Sequence, residues 1–250
     1  MAKLNTALIL AGGMGTRFKE KTLEIPKPMI EANGKPLLSH IMDIYQKYGV
    51  SNFLVLAGYK MEEILKYYRI KYAEKDKNTF TLPNSCTVKI LDTGQETMTG
   101  GRLRQGIEAI TDEHFYLTYG DGVGTIEIDK ITNFHINSDS LVTLTAMRPP
   151  ARFGSLEING NLVEKFGEKE NSNEGWINGG FFVVNRKVKD YLLNDNEPFE
   201  KTPLETIAKE KLLSAYKHRG FWQPVDTIRE LEILEGHLES NEWKSYLTRK

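Results

Sequence analysis

The stretch ALILAGGMGTRFKEKTLEIPKPM, residues 7–29, decides the fold class of this chain. An apolar, strand-like run enters a turn that contains Gly12, Gly13 and Gly15. Open α/β sheets bind ligands at the carboxyl ends of their strands, and glycines let backbone N–H groups approach a polyphosphate closely. We therefore predict an anion site where the first strand ends.

Lys27 is the second notable feature of this stretch. Three glycines alone are equally consistent with a tight strand-to-helix turn and a solvated Arg17. Lys27 favours the anion site, because Pro26 and Pro28 are expected to hold the backbone extended on both sides and so direct the ammonium group. The spacing G-G-M-G-T-R matches neither G-x-G-x-x-G nor G-x-x-x-x-G-K-[ST]. The pattern therefore disfavours hydride transfer and ordinary ATP hydrolysis.

Composition narrows the class of protein. The 250 residues are 40% hydrophobic and carry a formal net charge of −1, which is enough apolar content for one globular domain and too little positive charge for non-specific nucleic-acid binding. The single cysteine, Cys86, cannot form an internal disulfide. The apolar run at 7–11 is too short for the core of a signal peptide, and no stretch is apolar for long enough to cross a bilayer. We expect a soluble, cytoplasmic protein.

Hydrophobic periodicity predicts an α/β fold. Strands are predicted at 6–10, 52–57, 88–91, 115–118 and 141–146, and helices at 36–47, 61–72, 102–110 and 129–136. This alternation implies a three-layer, mostly parallel, Rossmann-like sheet with right-handed crossovers. Strands at 153–158, 162–166 and 176–184 predict an antiparallel addition laid on that core. Helical spacing at 227–240 predicts a carboxyl-terminal helix.

Two acidic residues lie where a metal ion would be useful. Asp121 ends a predicted strand within TYGDGV, at the expected ligand-binding edge, and Asp226 lies in GFWQPVDT. Magnesium usually takes one or two carboxylates together with substrate phosphates. Taken singly, Asp121 is equally consistent with a turn, and Asp226 with the N-cap of the last helix. Only their combination with the glycine turn favours chemistry.

These motifs resemble those of the nucleotidyltransferases that make sugar nucleotides. LILAGGMGTRF followed by PKPM is similar to the amino-terminal signature of that family. GQETMTGGRLR, TYGDGV, RFGSLEI, INGGFFV and GFWQPVDT are similar to its glucose-1-phosphate cytidylyltransferase branch. The resemblance covers residues 7 to about 231 in unchanged order. It implies one nucleotidyltransferase domain over 1–250, in which 1–150 bind the nucleotide, 151–226 bind the acceptor and 227–250 form a carboxyl-terminal helix.

The resemblance also implies roles for individual residues. Arg17, Lys27 and Asp121 would be catalytic, with Arg17 on the departing pyrophosphate and Lys27 at the α-phosphate. Asp121 and Asp226 would hold Mg2+. The nucleotide would be bound by Leu10, Ala11, Gly12, Gly13, Gly15, Thr16, Arg17, Lys27, Thr99, Gly100, Arg102, Arg104, Tyr119 and Gly120. The acceptor would be bound by Gly154, Glu168, Lys169, Asn178, Gly179 and Trp222.

Several of these roles have equally acceptable structural alternatives. Either Arg102 or Arg104 could be a solvated charge on a helix. Tyr119 and Trp222 could each pack beneath the site, since both adjoin an expected metal ligand.

The implied reaction needs no side-chain base. An oxygen of the acceptor's phosphate attacks the α-phosphorus of CTP and pyrophosphate leaves; that oxygen is already anionic at neutral pH. We therefore assign no catalytic role to the five histidines. With glucose 1-phosphate as acceptor the product would be CDP-glucose, for capsule or lipopolysaccharide biosynthesis.

Departures from the family pattern leave the acceptor open. Glu168-Lys169-Glu170 stands where sugar-using relatives commonly read E-K-P, and Ile25 stands where a basic residue often precedes P-K-P. Another sugar phosphate, or a non-sugar such as L-glutamine phosphate, is an alternative acceptor. A non-catalytic nucleotide-sensing module is a further alternative, although such a module would not need Lys27 together with both acids.

The expected partners are therefore CTP and a small phosphorylated acceptor, without nucleic acid or membrane. Family resemblance suggests a homo-oligomer. The polar segment 74–83 is consistent with an interface, a lid or a disordered loop.

Overall fold

The computed structural model describes residues 3–18, 22–149, 155–159, 162–167 and 175–248, and every structural statement below concerns those residues. Its strands are β1 (Thr6–Ala11), β2 (Glu31–Ala32), β3 (Lys35–Pro36), β4 (Asn52–Ala57), β5 (Ala73–Asp76), β6 (Thr79–Thr81), β7 (Thr87–Asp92), β8 (His114–Tyr119), β9 (Gly122–Gly124), β10 (Val142–Met147), β11 (Ser155–Asn159), β12 (Leu162–Gly167), β13 (Ile177–Asn185), β14 (Leu213–Lys217) and β15 (Trp222–Pro224). The helices are α1 (Leu37–Lys47), α2 (Met61–Lys71), α3 (Thr99–Glu108), α4 (Ile128–Ile136), α5 (Thr202–Lys209), α6 (Ile228–Glu239) and α7 (Asn241–Thr248).

The central sheet has nine strands among the described residues, in the order β14-β10-β13-β8-β1-β4-β7-β6-β5. Strands β8, β1, β4 and β7 run parallel, as do β10 and β14. Strand β13 lies between β8 and β10 and is antiparallel to both. The carboxyl ends of β1, β8, β10 and β14 therefore share one edge with the amino end of β13.

Helices cover both faces of this sheet. Strand β1 is buried along its whole length and divides its side chains between two hydrophobic clusters. Ile9 joins a cluster that includes Tyr45 of α1 and Leu234 of α6, whereas Leu8 joins one that includes Leu103 of α3 and Ile207 of α5. Burial on both faces is typical of parallel sheets and confirms the predicted three-layer α/β class.

The antiparallel part differs from the prediction in one respect. Of the three predicted antiparallel strands, two form the separate β11–β12 hairpin, whereas the third, β13, is built into the central sheet. The segment 74–83 contributes the β5–β6 hairpin, which extends the sheet beyond β7. Strand β14 and helix α5 were not predicted, and the carboxyl-terminal helix expected over 227–250 is divided into α6 and α7.

Helix α3 begins at Thr99, three residues before its predicted start. Its first turn contains two glycines, which disfavour a helix in sequence-based prediction but allow close packing here. A Cβ atom on Gly100 would lie 2.5 Å from the carbonyl oxygen of Glu197, and one on Gly101 would lie 2.5 Å from the Cα of Asp195. Within the described ranges, every helix is too short or too polar to cross a membrane.

Candidate active site

A cleft of about 340 Å³ opens at the carboxyl ends of β1 and β8. It is lined by Leu10, Ala11, Gly12, Gly13, Gly15, Thr16, Lys27, Pro28, Thr97, Met98, Thr99, Arg102, Tyr119, Gly120, Asp121 and Asp226. The cleft thus brings together most of the residues expected to bind the nucleotide and both of the expected metal ligands. It lies at the edge of the sheet where the glycine turn predicts an anion site.

The buried side chain of Arg102 binds the backbone of the glycine turn. Its side chain is 3% exposed, and its guanidinium donates to the carbonyl oxygen of Gly12 at 3.0 Å. It also donates to Ala57 O, Thr93 Oγ1, Gly94 O and Gln95 O. Because the C=O and N–H of a trans peptide point in opposite directions, this contact turns the N–H of Gly13 away from Arg102.

Arg102 therefore lies beside the predicted nucleotide site, but the hydrogen bonds of its guanidinium go to oxygen atoms of the protein itself. Burial lowers the pKa of Arg102, an effect that the nearby Asp92 partly offsets. A side chain at residue 12 would collide with this guanidinium, since a Cβ there would lie 2.1 Å from Nη1. The absence of a side chain at Gly12 is what lets Arg102 reach the turn.

Gly15 is the position in the turn where backbone conformation requires glycine. Its φ of +62° is left-handed, and a Cβ atom there would lie 2.8 Å from the methyl carbon of Thr22. The carbonyl of Gly15 accepts from the N–H of Phe18 and from the hydroxyl of Thr22. Arg17 belongs to the 3-10 turn Thr16–Phe18, and its side chain lies outside the described part of the chain.

Lys27 lies between the two predicted metal ligands. Its Nζ donates to Asp121 Oδ2 and to Asp226 Oδ1, each at 2.6 Å. The lysine is 9% exposed, and burial alone would lower its pKa; the two carboxylates outweigh that effect and raise the pKa above its usual value. Lys27 is therefore a fixed cation between two acids that are 105 residues apart in sequence.

The backbone at Lys27 differs from the predicted extended conformation. Pro26 is extended, but Lys27–Met29 form a 3-10 turn in which the N–H of Ile30 donates to the carbonyl of Lys27. The proline before the turn still fixes the approach of the chain, because its φ is −68°.

The structure separates the two interpretations of Asp226. The N-cap of α6 is Thr227, whose hydroxyl accepts from the N–H of Glu230 at 3.3 Å. The carboxylate of Glu230 accepts in turn from the backbone N–H of Asp226. The side chain of Asp226 is thus not the cap, and it reaches Lys27 instead.

A third carboxylate, that of Glu200, contacts two of the residues that line the cleft. Glu200 accepts from the hydroxyl of Tyr119 and from that of Thr99, each at 2.6 Å. The amide of Asn178 donates to the Tyr119 hydroxyl at 3.2 Å. Burial, together with Glu200, raises the pKa of Tyr119 well above its usual range. Tyr119 therefore links the end of β8 to α3 and to the start of β13.

Other residues expected at the site lie elsewhere. Arg104 is not among the residues that line the cleft, and its guanidinium pairs with Asp195 at 2.8 Å. Gly100 and Gly179 permit close packing, Gly179 against Met147. Trp222 also lies outside the lining, and its indole nitrogen is 3.3 Å from where a Cβ on Gly122 would be.

Three expected acceptor residues, Gly154, Glu168 and Lys169, lie outside the described residues. Conversely, Pro28, Thr97 and Met98 line the cleft although they were not expected there, and Glu200 contacts the lining residues Tyr119 and Thr99. The motif GQETMTGGRLR contains Thr97 and Met98 and was the signal that could have found them. Glu200 lies in a polar segment without a recognisable pattern.

The sequence comparison decides the family. Residues 6–237 match the family described as Nucleotidyl transferase. The chain belongs to this family. It is 41% identical to the glucose-1-phosphate cytidylyltransferase of Salmonella typhimurium, over 96% of this chain and 99% of the relative. It is 42% identical to a probable glucose-1-phosphate cytidylyltransferase of Bacillus subtilis, over 90% of this chain and 92% of the relative.

Comparison with solved structures supports the fold of this nucleotidyl transferase. HddC from Yersinia pseudotuberculosis superposes with a TM-score of 0.72 at 23% identity, covering 94% of this chain and all of that one. Identity at this level supports the architecture only.

The two acids of this nucleotidyl transferase suit a metal ion that is held jointly by protein and substrate better than one that is held by protein side chains alone. Among the described residues, no group of three or more His, Cys, Asp or Glu side chains converges to hold an ion. Asp121 and Asp226 do converge on one point, the ammonium of Lys27. Two carboxylates completed by substrate phosphates are the donor set that Mg2+ prefers.

Proposed function

We propose that this nucleotidyl transferase transfers the cytidylyl group of CTP to glucose 1-phosphate, releasing pyrophosphate and forming CDP-glucose. The observation that carries the reaction class is the convergence of Lys27, Asp121 and Asp226 beside the glycine turn. The choice of CTP and glucose 1-phosphate is supported by the two relatives at 41% and 42% identity, whose names specify that acceptor and that group.

In the proposed reaction an oxygen of the acceptor's phosphate bonds to the α-phosphorus of CTP. The bond from that phosphorus to the β-phosphate's bridging oxygen breaks, and pyrophosphate leaves with the electron pair. The attacking oxygen is already anionic, so positioning and charge stabilisation are sufficient for catalysis.

The chain's residues contribute to this reaction in distinct ways. The N–H of Gly13, oriented by Arg102, would donate to the triphosphate. Lys27 would donate to the α-phosphate and compensate the charge that accumulates there. Asp121 and Asp226 would hold Mg2+, which neutralises triphosphate charge when bound. This requires Lys27 to exchange part of its contact with the acids for contact with the nucleotide.

Other expectations remain predictions. A cytoplasmic location, a homo-oligomer and a contribution to cell-surface polysaccharide belong with the proposed function, and each needs its own measurement.

A pyrophosphate-release screen tests the proposal. It crosses ATP, CTP, GTP and UTP against glucose 1-phosphate, other sugar 1-phosphates and phosphorylated amino acids, with magnesium present. Release that requires both CTP and glucose 1-phosphate is expected. Release with another nucleotide, or only with another acceptor, would replace the corresponding part of the proposal. Binding of CTP without release under any combination would support a nucleotide sensor instead.

A further inference from the structure

Two hydroxyl groups line the cleft, those of Thr99 at the start of α3 and of Tyr119 at the end of β8. We call these two residues the hydroxyl wall. Each hydroxyl is 2.6 Å from a different oxygen of one carboxylate, Thr99 from Oε2 and Tyr119 from Oε1 of Glu200. The proposed reaction gives Glu200 no role, although its carboxylate contacts both residues of the wall.

The hydrogen bonds of Tyr119 have fixed directions. The side-chain Oδ1 of Asn178 accepts from the backbone N–H of Gly180 at 2.9 Å, so its Nδ2 faces the hydroxyl of Tyr119, 3.2 Å away. An amide nitrogen only donates, so the oxygen of Tyr119 accepts from it. A carboxylate only accepts, so the hydroxyl hydrogen of Tyr119 goes to Glu200.

Thr99 has the same arrangement of one donor and one acceptor. The backbone N–H of Phe199 donates to Oγ1 of Thr99 at 2.8 Å, and the hydrogen of that hydroxyl goes to Glu200. The backbone just before these residues also binds α3, because the N–H of Gly100 donates to the carbonyl of Glu197 at 3.1 Å. Glu200 is therefore held at the start of α3, where its negative charge suits the positive end of the helix.

The hydroxyl wall consequently offers a ligand hydrogen-bond acceptors only. A hydroxyl oxygen has two lone pairs, and in each of these residues one of them accepts from a protein N–H, which leaves capacity for one more donor. Donation of the hydrogen to a carboxylate also polarises the hydroxyl and makes its oxygen a stronger acceptor. Such an oxygen attracts an O–H group and repels a phosphate oxygen, which cannot donate. The wall thus suits sugar hydroxyl groups, whereas the N–H groups of the glycine turn suit phosphates.

We propose that Glu200 is a positioning residue that sets the hydroxyl wall to accept hydrogen bonds from hydroxyl groups of a substrate sugar ring. This inference rests on the proposed cytidylyl transfer and deepens it, because it assigns the recognition of a sugar ring in that reaction. Two such rings take part, the ribose of CTP and the sugar of the acceptor. Tyr119 lies two residues before Asp121, whose carboxylate contacts Lys27, so a ring attached to a phosphate at Lys27 would lie beside the wall.

The test removes one ring hydroxyl at a time. In the nucleotide arm 2′-deoxy-CTP and 3′-deoxy-CTP replace CTP, and in the acceptor arm 2-deoxy-, 3-deoxy- and 4-deoxyglucose 1-phosphate replace glucose 1-phosphate. Pyrophosphate release gives kcat/KM for each. We expect at least one deoxy analogue to lose about tenfold, mainly through KM, because one polarised hydrogen bond is lost. The arm in which the loss occurs identifies the ring. A fluoro analogue at the same carbon should be equally poor, because fluorine cannot donate a hydrogen bond.

Variants assign this loss to Glu200. Glu200→Gln has nearly the same shape but lacks the charge and one acceptor oxygen, so the penalty of that deoxy analogue should shrink from about tenfold towards one. Thr99→Val or Tyr119→Phe should reduce the same penalty, and the variant that does so identifies the hydroxyl concerned. Glu205→Gln is the matched control, because Glu205 is exposed on α5 and should leave every ratio unchanged. A ratio within one enzyme does not depend on how much of the sample is folded.

Three results would overturn the inference while leaving the proposed function intact. They are the absence of a penalty for every deoxy analogue, a penalty that persists unchanged in Glu200→Gln, and a fluoro analogue that reacts as well as the parent substrate. The second result would show that Glu200 serves only the stability of the fold. Absence of pyrophosphate release with CTP and every acceptor would overturn the proposed function and this inference with it.

Discussion

Replacing Lys27 with methionine should remove the cation that lies between Asp121 and Asp226 and leave the two carboxylates repelling each other. Asp121 Oδ2 and Asp226 Oδ1 are each 2.6 Å from Nζ, so the two oxygens are at most about 5 Å apart. Two unit charges at that distance repel by about 3 kcal/mol at the effective dielectric constant of roughly 20 that suits partly exposed pairs. We expect Lys27→Met to lose about 3 kcal/mol of unfolding free energy at pH 7 in the presence of a chelator.

Urea unfolding followed by far-UV circular dichroism at pH 7 measures this deficit. Turnover in the pyrophosphate-release assay should fall at least about a hundredfold, because charge at the α-phosphate is no longer compensated.

The matched control is the double variant Lys27→Met with Asp226→Asn. Removing one negative charge should restore most of the stability without restoring activity. The reasoning is refuted if Lys27→Met is as stable as the wild type at pH 7. Turnover close to wild type would show that Lys27 does not act on the α-phosphate.

Three further predictions test other parts of the structure. Asp121→Asn should lower turnover at least about a hundredfold and leave the circular dichroism spectrum unchanged; a normal rate would remove this acid from the site. Arg102→Met should lower the free energy of unfolding in urea by about 2–4 kcal/mol and raise the KM for CTP, because buried carbonyl oxygens lose their donor. Arg104→Met is the control and should lower the free energy of unfolding by under about 1 kcal/mol, because it removes only a partly exposed ion pair. Burial, together with His114, lowers the pKa of His135 to about 4 from the ordinary 6.5. The unfolded chain therefore takes up a proton here before the folded protein does, so the stability should fall as the pH drops from 6.5 towards 4. His135→Gln should flatten this pH dependence in a series of thermal-unfolding measurements.

The sequence predicted the elements whose signals are local. Strand β4 has the predicted bounds, because its apolar run follows the polar residues Ser51 and Asn52 and ends before Gly58. The turn at Gly12 to Gly15 lies at the carboxyl end of β1, as general rules for open sheets require. The pairing of Asp121 with Asp226 was expected from the ligands that magnesium prefers and from family resemblance, since residues so far apart in sequence carry no local signal of contact.

The sequence did not predict features that depend on distant partners. An arginine that anchors carbonyl groups and one that binds a ligand look identical in sequence, and the carbonyl partners of Arg102 come from residues 12, 57, 94 and 95. The insertion of β13 between β8 and β10 likewise depends on pairing across long sequence distances. The role of Glu200 depends on a tyrosine and a threonine about 80 and 100 residues earlier.

The reversed direction of β13 has an evolutionary consequence. Parallel strands bring their carboxyl ends to the edge where we propose that the triphosphate binds, whereas β13 brings its amino end there. The chain that leads into β13 can therefore be lengthened, shortened or exchanged while the turn after β1 stays as it is. Recruitment of a new acceptor and retention of the donor nucleotide are thus separable changes, and grafting the segment before β13 between relatives is a direct route to altered products.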